Sequence, residues 1–407
     1  ILGKKMSNYI RVPYGCSVHG EEEIQAVVDV LRTSTQMSVK VKEFEEKIAE
    51  LFAHKHGIMT NSGSSALYIL IESLDLPEGS EVITPALTFS TTVGCLVKNN
   101  LKPHFVDIGY DTFCADFENI KAAINSNTSA ILAPDLMGNV CEWDKIYELA
   151  QENNIKVIID SADTLGATLD GVSTGKYADA AITSFYGSHV INGAGNGGML
   201  ITSDDMVMER SKLLRSWGRS SSLFSDNEAI ENRFNVNLNG FTYDAKFVFD
   251  KIGYQLEPSE MSAAFALVQL KKLDLNQKMR IDNFNANTHF FGQEKYKQFF
   301  TLPNQNPRSE SGWLAYPMII NEDAPFSRTD MQIFLEKKNI QTRVVFTGNI
   351  LRQPGFKDIN CIGHADDFKN ADNVMRGGIL LAVHHGLTQE MQEHFFNSST
   401  QFLDSHC

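Results

Sequence analysis

At 407 residues the chain exceeds what one hydrophobic core usually serves, so two domains sharing an interface are expected. Its 43% hydrophobic and 21% charged residues belong to an ordinary globular protein able to bury a substantial core. A formal net charge of −14 argues against a general nucleic-acid binder, because no basic stripe neutralises phosphates, although backbone N–H groups in a pocket can still hold an anion.

The six cysteines (Cys16, Cys95, Cys114, Cys141, Cys361, Cys407) are scattered without a C-x-x-C pair, the usage of a reduced, cytoplasmic protein. The opening Ile1-Leu2-Gly3-Lys4-Lys5 is too short and polar for a signal peptide, and Met6 is a candidate native start. No apolar run approaches about 18 residues, so no membrane partner is expected.

In chain order, Glu21 to Thr33 and Val41 to Phe52 carry helical spacing, the second through Val41, Phe44, Ile48 and Leu51. Gly57-Ile58-Met59-Thr60 reads as a strand, followed by a small-residue turn and a helix over Ala66 to Leu74. Short β-rich runs follow at Glu81 to Thr84, His104 to Asp107, Ala130 to Ala133, Val157 to Asp160, Ala180 to Phe185 and Gly198 to Thr202. Crossover-length stretches separate them, which predicts an α/β fold with a mostly parallel sheet and ligands at the C-terminal strand ends. A long helix over Ser259 to Asp274 leads into a smaller α/β domain, placing the boundary near residue 275, with 1–275 as N-terminal segment and large domain and 276–407 as the small one.

Four clusters carry chemistry, each with a plainer alternative. Asn61-Ser62-Gly63-Ser64-Ser65-Ala66 puts small and hydroxyl residues before a helix, a phosphate cradle or a plain N-cap. Asp160 ends an apolar strand, where it either meets a cationic ring nitrogen or caps the next turn. Phe89, in Pro85-Ala86-Leu87-Thr88-Phe89, is a stacking surface or a core residue. Ser184-Phe185-Tyr186-Gly187-Ser188-His189 leads into the glycine-rich Gly193-Ala194-Gly195-Asn196-Gly197-Gly198, and a lone histidine there is a packing residue or an acid–base group.

In this order the four clusters resemble the DegT/DnrJ/EryC1/StrS sugar aminotransferase family over nearly the whole chain. That resemblance implies the pyridoxal-phosphate (PLP) fold type I, aspartate-aminotransferase-like. It assigns Gly63, Ser64, Ser65 and Ser184 to the cofactor phosphate, Phe89 to ring stacking, Asp160 to the pyridine nitrogen and Asp163 to the ring's 3-hydroxyl. Gln255 stands where the family usually has an asparagine reaching the partner subunit's cofactor phosphate, and Glu257 where Lys or Arg is common. Trp217, Arg219, Tyr254, Trp313, Arg343, Asn349 and His384 match substrate-side positions.

Within the family the chain is most similar to the 3-dehydratase branch, in which histidine replaces the Schiff-base lysine. Asp160 to His189 is 29 residues (189 − 160), the separation expected there. Counting back from Gly195-Asn196-Gly197-Gly198, where Asn196 replaces a usual glutamate, would put the slot at Val190, as though one residue were inserted in the loop. The left-hand anchors favour His189.

The resemblance implies PLP and pyridoxamine phosphate (PMP) as cofactor forms and a nucleotide-linked 4-keto-6-deoxyhexose as substrate, losing its C3 hydroxyl with His189 as base and then acid. Recharging would draw on an amino donor such as glutamate, and the enzyme would be a homodimer with shared active sites. No four-cysteine set lies near the active-site half, so no iron–sulfur cluster is expected. His54, His56 and His384-His385 lack a carboxylate at ligand-like spacing, so no metal site is expected. Two other readings stay open. A sugar aminotransferase needs a lysine from elsewhere, none lying between Lys176 and Lys212; a non-catalytic PLP or sugar-nucleotide binder would fit the loop insertion, Gln255 and Glu257.

Overall fold

The computed structural model describes residues 10–224 and 229–406; Ile1 to Lys5, Met6 and Cys407 lie outside these. Seven strands, β1 (His56–Thr60), β2 (Glu81–Pro85), β3 (Lys102–Val106), β4 (Thr128–Pro134), β5 (Lys156–Asp160), β6 (Ala180–Ser184) and β7 (Gly198–Thr202), form one sheet in the order β1-β7-β6-β5-β4-β2-β3. All run parallel except β7, which is antiparallel to both neighbours.

Alternation along these strands explains why they sit in the middle of the domain. Ile83, Ile131, Val157, Ile159, Ala181, Met199 and Ile201 face one apolar cluster, while Val82, Ala130, Leu132, Ile158, Ala180, Ile182 and Leu200 face another. With both faces apolar, helices must cover each side. Phe44, Ile48 and Trp143 pack on the first face, and Ala66, Leu67 and Leu70 of the helix Gly63–Leu74 on the second.

The expected helix over 259–274 is two helices, Glu260–Leu270 and Leu273–Phe291. The chain turns at Lys272, whose ammonium is held by Glu23 at 2.7 Å and Glu22 at 3.0 Å. The second helix crosses the domain boundary expected at residue 275 and leads to a four-stranded antiparallel sheet, β8 (Phe300–Thr301), β9 (Tyr316–Ile320), β10 (Arg343–Val344) and β11 (Gly378–Leu381). Residues near the start of the chain join this second unit. Val12 bridges to Ile340 and packs in its aromatic core with Phe291, Trp313 and Tyr316. Among the described residues no helix is long and apolar enough to cross a membrane.

Candidate active site

The sheet topology brings four loops to one edge. Because β7 alone is reversed, the β6–β7 connection stays at the C-terminal edge of the parallel strands, where β1, β4 and β5 also end. A cavity of about 400 Å³ opens there, lined among others by Gly63, Ser64, Phe89, Asp160, Asp163, Ser184 and His189. Seven of the eight residues named from sequence for catalysis and cofactor within this chain thus share one cavity; Ser65 is the exception.

The phosphate side is the N-terminus of the helix Gly63–Leu74. Ser62 caps it by accepting from the Ser65 amide at 3.1 Å, and the Ser65 hydroxyl donates to Asn61 at 2.7 Å. Ser65 thus serves the cap and is not among the residues lining the cavity. Gly63 and Ser64 do line it, with first-turn amides that the helix itself cannot pair. A Cβ at Gly63 would lie 2.8 Å from the Ser184 Cβ, so glycine is what lets the two loops close up.

Asp160 is 6% exposed, accepting from the Thr92 hydroxyl at 3.0 Å and the Ala162 amide at 3.1 Å. Burial pushes its pKa up against these two bonds. Asp163 accepts from the Met137 amide at 2.9 Å, yet burial, with repulsion from Asp160 and Asp135, raises it to about 7. Asp160, buried at the cavity with hydrogen bonds from the neutral Thr92 hydroxyl and Ala162 amide, suits the N–H of a pyridinium ring. Phe89, 48% exposed and edge-on to Phe346 at 6.0 Å, offers a flat face to the same space. The donor set thus fits a phosphorylated pyridine cofactor.

His189 lies on the cavity wall with Nδ1 3.3 Å from the Ser184 carbonyl. Burial lowers its pKa to about 4, opposed by the Ser184 carbonyl and assisted by the nearby Arg280 charge. The other slot considered, Val190, is 2% exposed in the core, its carbonyl accepting from Asn276 at 3.1 Å. The loop takes up its length beyond His189, where Ala194 (φ 56°), Gly195 (φ 110°) and Gly197 (φ 145°) turn the chain back. Asn196 lines the cavity where the family's glutamate was expected.

The substrate-side residues divide. Arg343 sits over the ring of Tyr14 at 5.6 Å, and Tyr14 lines the cavity. Trp217, Arg219, Tyr254 and the exposed Gln255 lie outside the cavity lining, with Arg219 stacked on Trp217 at 4.4 Å, Tyr254 donating to Glu72 at 2.9 Å and Gln255 bridged to Ser216. Trp313, Asn349 and His384 are placed elsewhere still. Trp313 is fully buried, stacked on Phe284 at 4.2 Å with its N–H on Gln305. Asn349 is also fully buried and donates to Asp372 at 2.9 Å. His384 holds the Pro13 carbonyl at 3.0 Å and accepts from the Gly386 amide at 3.2 Å, leaving neither nitrogen free. Within this chain the polar atoms of all three already have partners. Sequence reasoning missed Tyr14, Thr92, Tyr186 and Phe346, which reach the site from sequence-distant loops or stand beside named residues without a motif of their own.

A profile of the DegT/DnrJ/EryC1/StrS aminotransferase family matches residues 17–399. A dTDP-4-dehydro-2,6-dideoxy-D-glucose 3-dehydratase of Saccharopolyspora spinosa is 31% identical over 402 residues, covering 96% of this chain and 86% of that one. The structure of an E. coli GDP-4-keto-6-deoxy-D-mannose 3-dehydratase with bound hydrated PLP matches with a TM-score of 0.85 at 26% identity, over 96% of this chain and 99% of that one. A GDP-4-keto-6-deoxymannose 3-dehydratase with a trapped PLP–glutamate geminal diamine matches at 0.84 and 25%, over 95% and 98% of the two chains.

Proposed function

The chain belongs to the DegT/DnrJ/EryC1/StrS aminotransferase family, and on that premise we propose that it removes the C3 hydroxyl of a nucleotide-linked 4-keto-6-deoxyhexose with PLP/PMP as cofactor. The observation that carries this reading is His189 in the cavity beside Asp160, Ser184 and Gly63, with no lysine among the lining residues. An aminotransferase needs that lysine, so the same observation disfavours transamination as the main reaction.

When bound, the cofactor supplies an amine for the C4 carbonyl and an electron-accepting ring. The Gly63 and Ser64 amides with the Ser184 hydroxyl hold its phosphate, Asp160 holds the ring nitrogen's proton, and Phe89 packs on the ring face. His189 takes a proton from the cofactor's C4′ carbon and returns one to the departing C3 hydroxyl. Neutral at rest, it is ready for the first of these steps. A relative trapped with a PLP–glutamate adduct supports glutamate as the amino donor.

A second copy is part of this reading. The segment carrying Trp217, Arg219 and Gln255 also exposes Phe247, Phe249 and Ile252, the last 97% exposed, an apolar surface suited to a homodimer that brings Gln255 towards the partner's cofactor.

The test supplies PLP, glutamate and a panel of 4-keto-6-deoxy nucleotide sugars and follows product mass. Loss of the C3 oxygen, abolished in His189→Asn, is expected; a stable amine without that loss would overturn the proposal. His189→Lys gives a check independent of turnover, because a lysine facing the cofactor forms a link to PLP that borohydride reduction makes permanent.

A further inference from the structure

Resting on the dehydratase reading, we propose that Arg280 is the positioning residue of His189, a buried guanidinium that clamps the histidine loop to the opposite wall of the cavity. Arg280 lies in the helix Leu273–Phe291 and is fully buried. Its Nε donates to His385 Nδ1 at 3.2 Å, and one terminal nitrogen donates to the carbonyls of Trp313 at 3.0 Å and Leu314 at 3.2 Å. The other donates to the carbonyls of Ser188 at 3.3 Å and His189 at 3.2 Å. Asp163 supplies a countercharge nearby, but the hydrogen-bond partners are four carbonyls and an imidazole nitrogen, so the guanidinium spends its donors on holding backbone.

What it holds are two walls of one cavity. His189 comes from the β6–β7 loop and Leu314 from the approach to β9, and both line the site. Neighbours on the same face of the helix extend the latch: Asn276 holds the Val190 carbonyl at 3.1 Å, and Asn283 holds those of Val383 and His384, each at 3.1 Å. The strip 276, 280, 283 spans one helical face and fastens the loop to the small domain. Arginine serves where lysine would not, because its planar fork reaches both backbones at once.

The clamp carries charge as well as shape. Arg280 favours the neutral imidazole of His189, in the same direction as burial. The other ionisable groups around the cavity are Asp160, Asp163, Tyr14, Tyr186 and, behind Tyr14, Arg343. His385, which accepts from Arg280 through Nδ1, is held neutral by burial.

Two variants separate the roles: Arg280→Met loses charge and donors, and Arg280→Lys keeps the charge but cannot bridge four carbonyls. His189 is followed by NMR of histidine labelled at Cε1, its resonance identified by its absence in His189→Asn. In Arg280→Met the His189 titration midpoint is expected to rise towards the ordinary value without reaching it, because burial, the larger cause, remains. In Arg280→Lys the midpoint stays within about half a unit while the resonance position shifts. Both variants are expected to lower kcat at least about tenfold with KM for the sugar nucleotide within about twofold. Should Arg280→Met fail to fold, Arg280→Lys decides through kcat and the resonance shift. Unchanged kcat and His189 resonance in a folded variant would overturn the proposal. Failure of the dehydratase reading shows separately, as retention of the C3 oxygen by the unsubstituted protein, and the NMR readout still reports the clamp.

Discussion

His189 sets its Nδ1 3.3 Å from the carbonyl of Ser184, and Ala162 offers the same imidazole a second backbone hydrogen bond. A carbonyl only accepts, so the single N–H of the neutral ring serves these backbone oxygens and the other ring nitrogen carries the lone pair. Since Ser184 ends β6, the orientation of the base is tied to the sheet itself. With the pKa lowered to about 4, the base form persists as pH falls and is lost only on passing through that value. The acid limb of kcat/KM is expected below about pH 5 rather than near 6.5, measured as product formation across a buffer series. A midpoint near the ordinary histidine value would contradict the buried, neutral imidazole.

Gly63→Ala should harm cofactor binding before it harms the fold. The added methyl meets the Ser184 side chain at 2.8 Å, forcing apart the two loops that line the phosphate end. A stability loss of about 1–3 kcal/mol is expected from overpacking. PLP affinity should fall alongside, followed by titrating the cofactor absorbance; unchanged affinity would remove Gly63 from the cradle.

Asp160→Asn keeps the shape and removes the charge. A charge-assisted bond contributes about 1.5–3 kcal/mol, so PLP should bind roughly tenfold to a hundredfold more weakly. The asparagine's single oxygen can still accept from the Ala162 amide while its NH2 donates to the Thr92 hydroxyl, and thermal stability without cofactor should hold or rise, because the buried charge is gone.

Asp163 gives a pH-dependent stability with a definite sign. Its folded pKa, about 7, lies above the unfolded value of about 3.9, so the folded state binds the proton more tightly. The stability it contributes is fully present below the unfolded pKa and is lost as pH rises through 7. Asp163→Asn should therefore raise the Tm of the cofactor-free protein more at pH 8 than at pH 5, and scanning calorimetry at the two values checks the difference. Equal shifts would mean that Asp163 is an ordinary carboxylate.

Trp313 tests the division between substrate side and core. Fully buried against Phe284, it should behave as a packing residue, with Trp313→Ala costing about 3–5 kcal/mol in stability. The conservative Trp313→Phe should leave KM for the sugar nucleotide within about twofold. A large KM increase in folded Trp313→Phe would restore the substrate contact expected from sequence.

Some of the molecule was readable because local chemistry dictates it. Apolar, β-branched runs such as Val157-Ile158-Ile159 read as buried strands, the small residues at 61–66 let a helix open tightly, and Asp160 and His189 stand out because their types break an apolar or glycine-rich context. These features determined the sheet, the cavity's cofactor side and the family resemblance. Spacing is silent where a residue's role depends on its neighbours in space. Trp313, Asn349 and His384 look polar or aromatic enough to meet a sugar, but Gln305, Asp372, Pro13 and Gly386 already satisfy them. Ser65 was absorbed by its own helix cap in the same way.

The choice between His189 and Val190 shows the division most sharply. Sequence favoured His189 through its left-hand anchors, although the right-hand anchor pointed one residue further on. Only the tertiary structure places the two side chains: Val190 is buried in the core with its carbonyl on Asn276, while His189 lines the cavity and Arg280, 91 residues away in the chain, grips its carbonyl. Hydrogen bonds between segments so distant in sequence leave no periodicity to read, because their geometry exists only after the helix Leu273–Phe291 has packed beneath the loop.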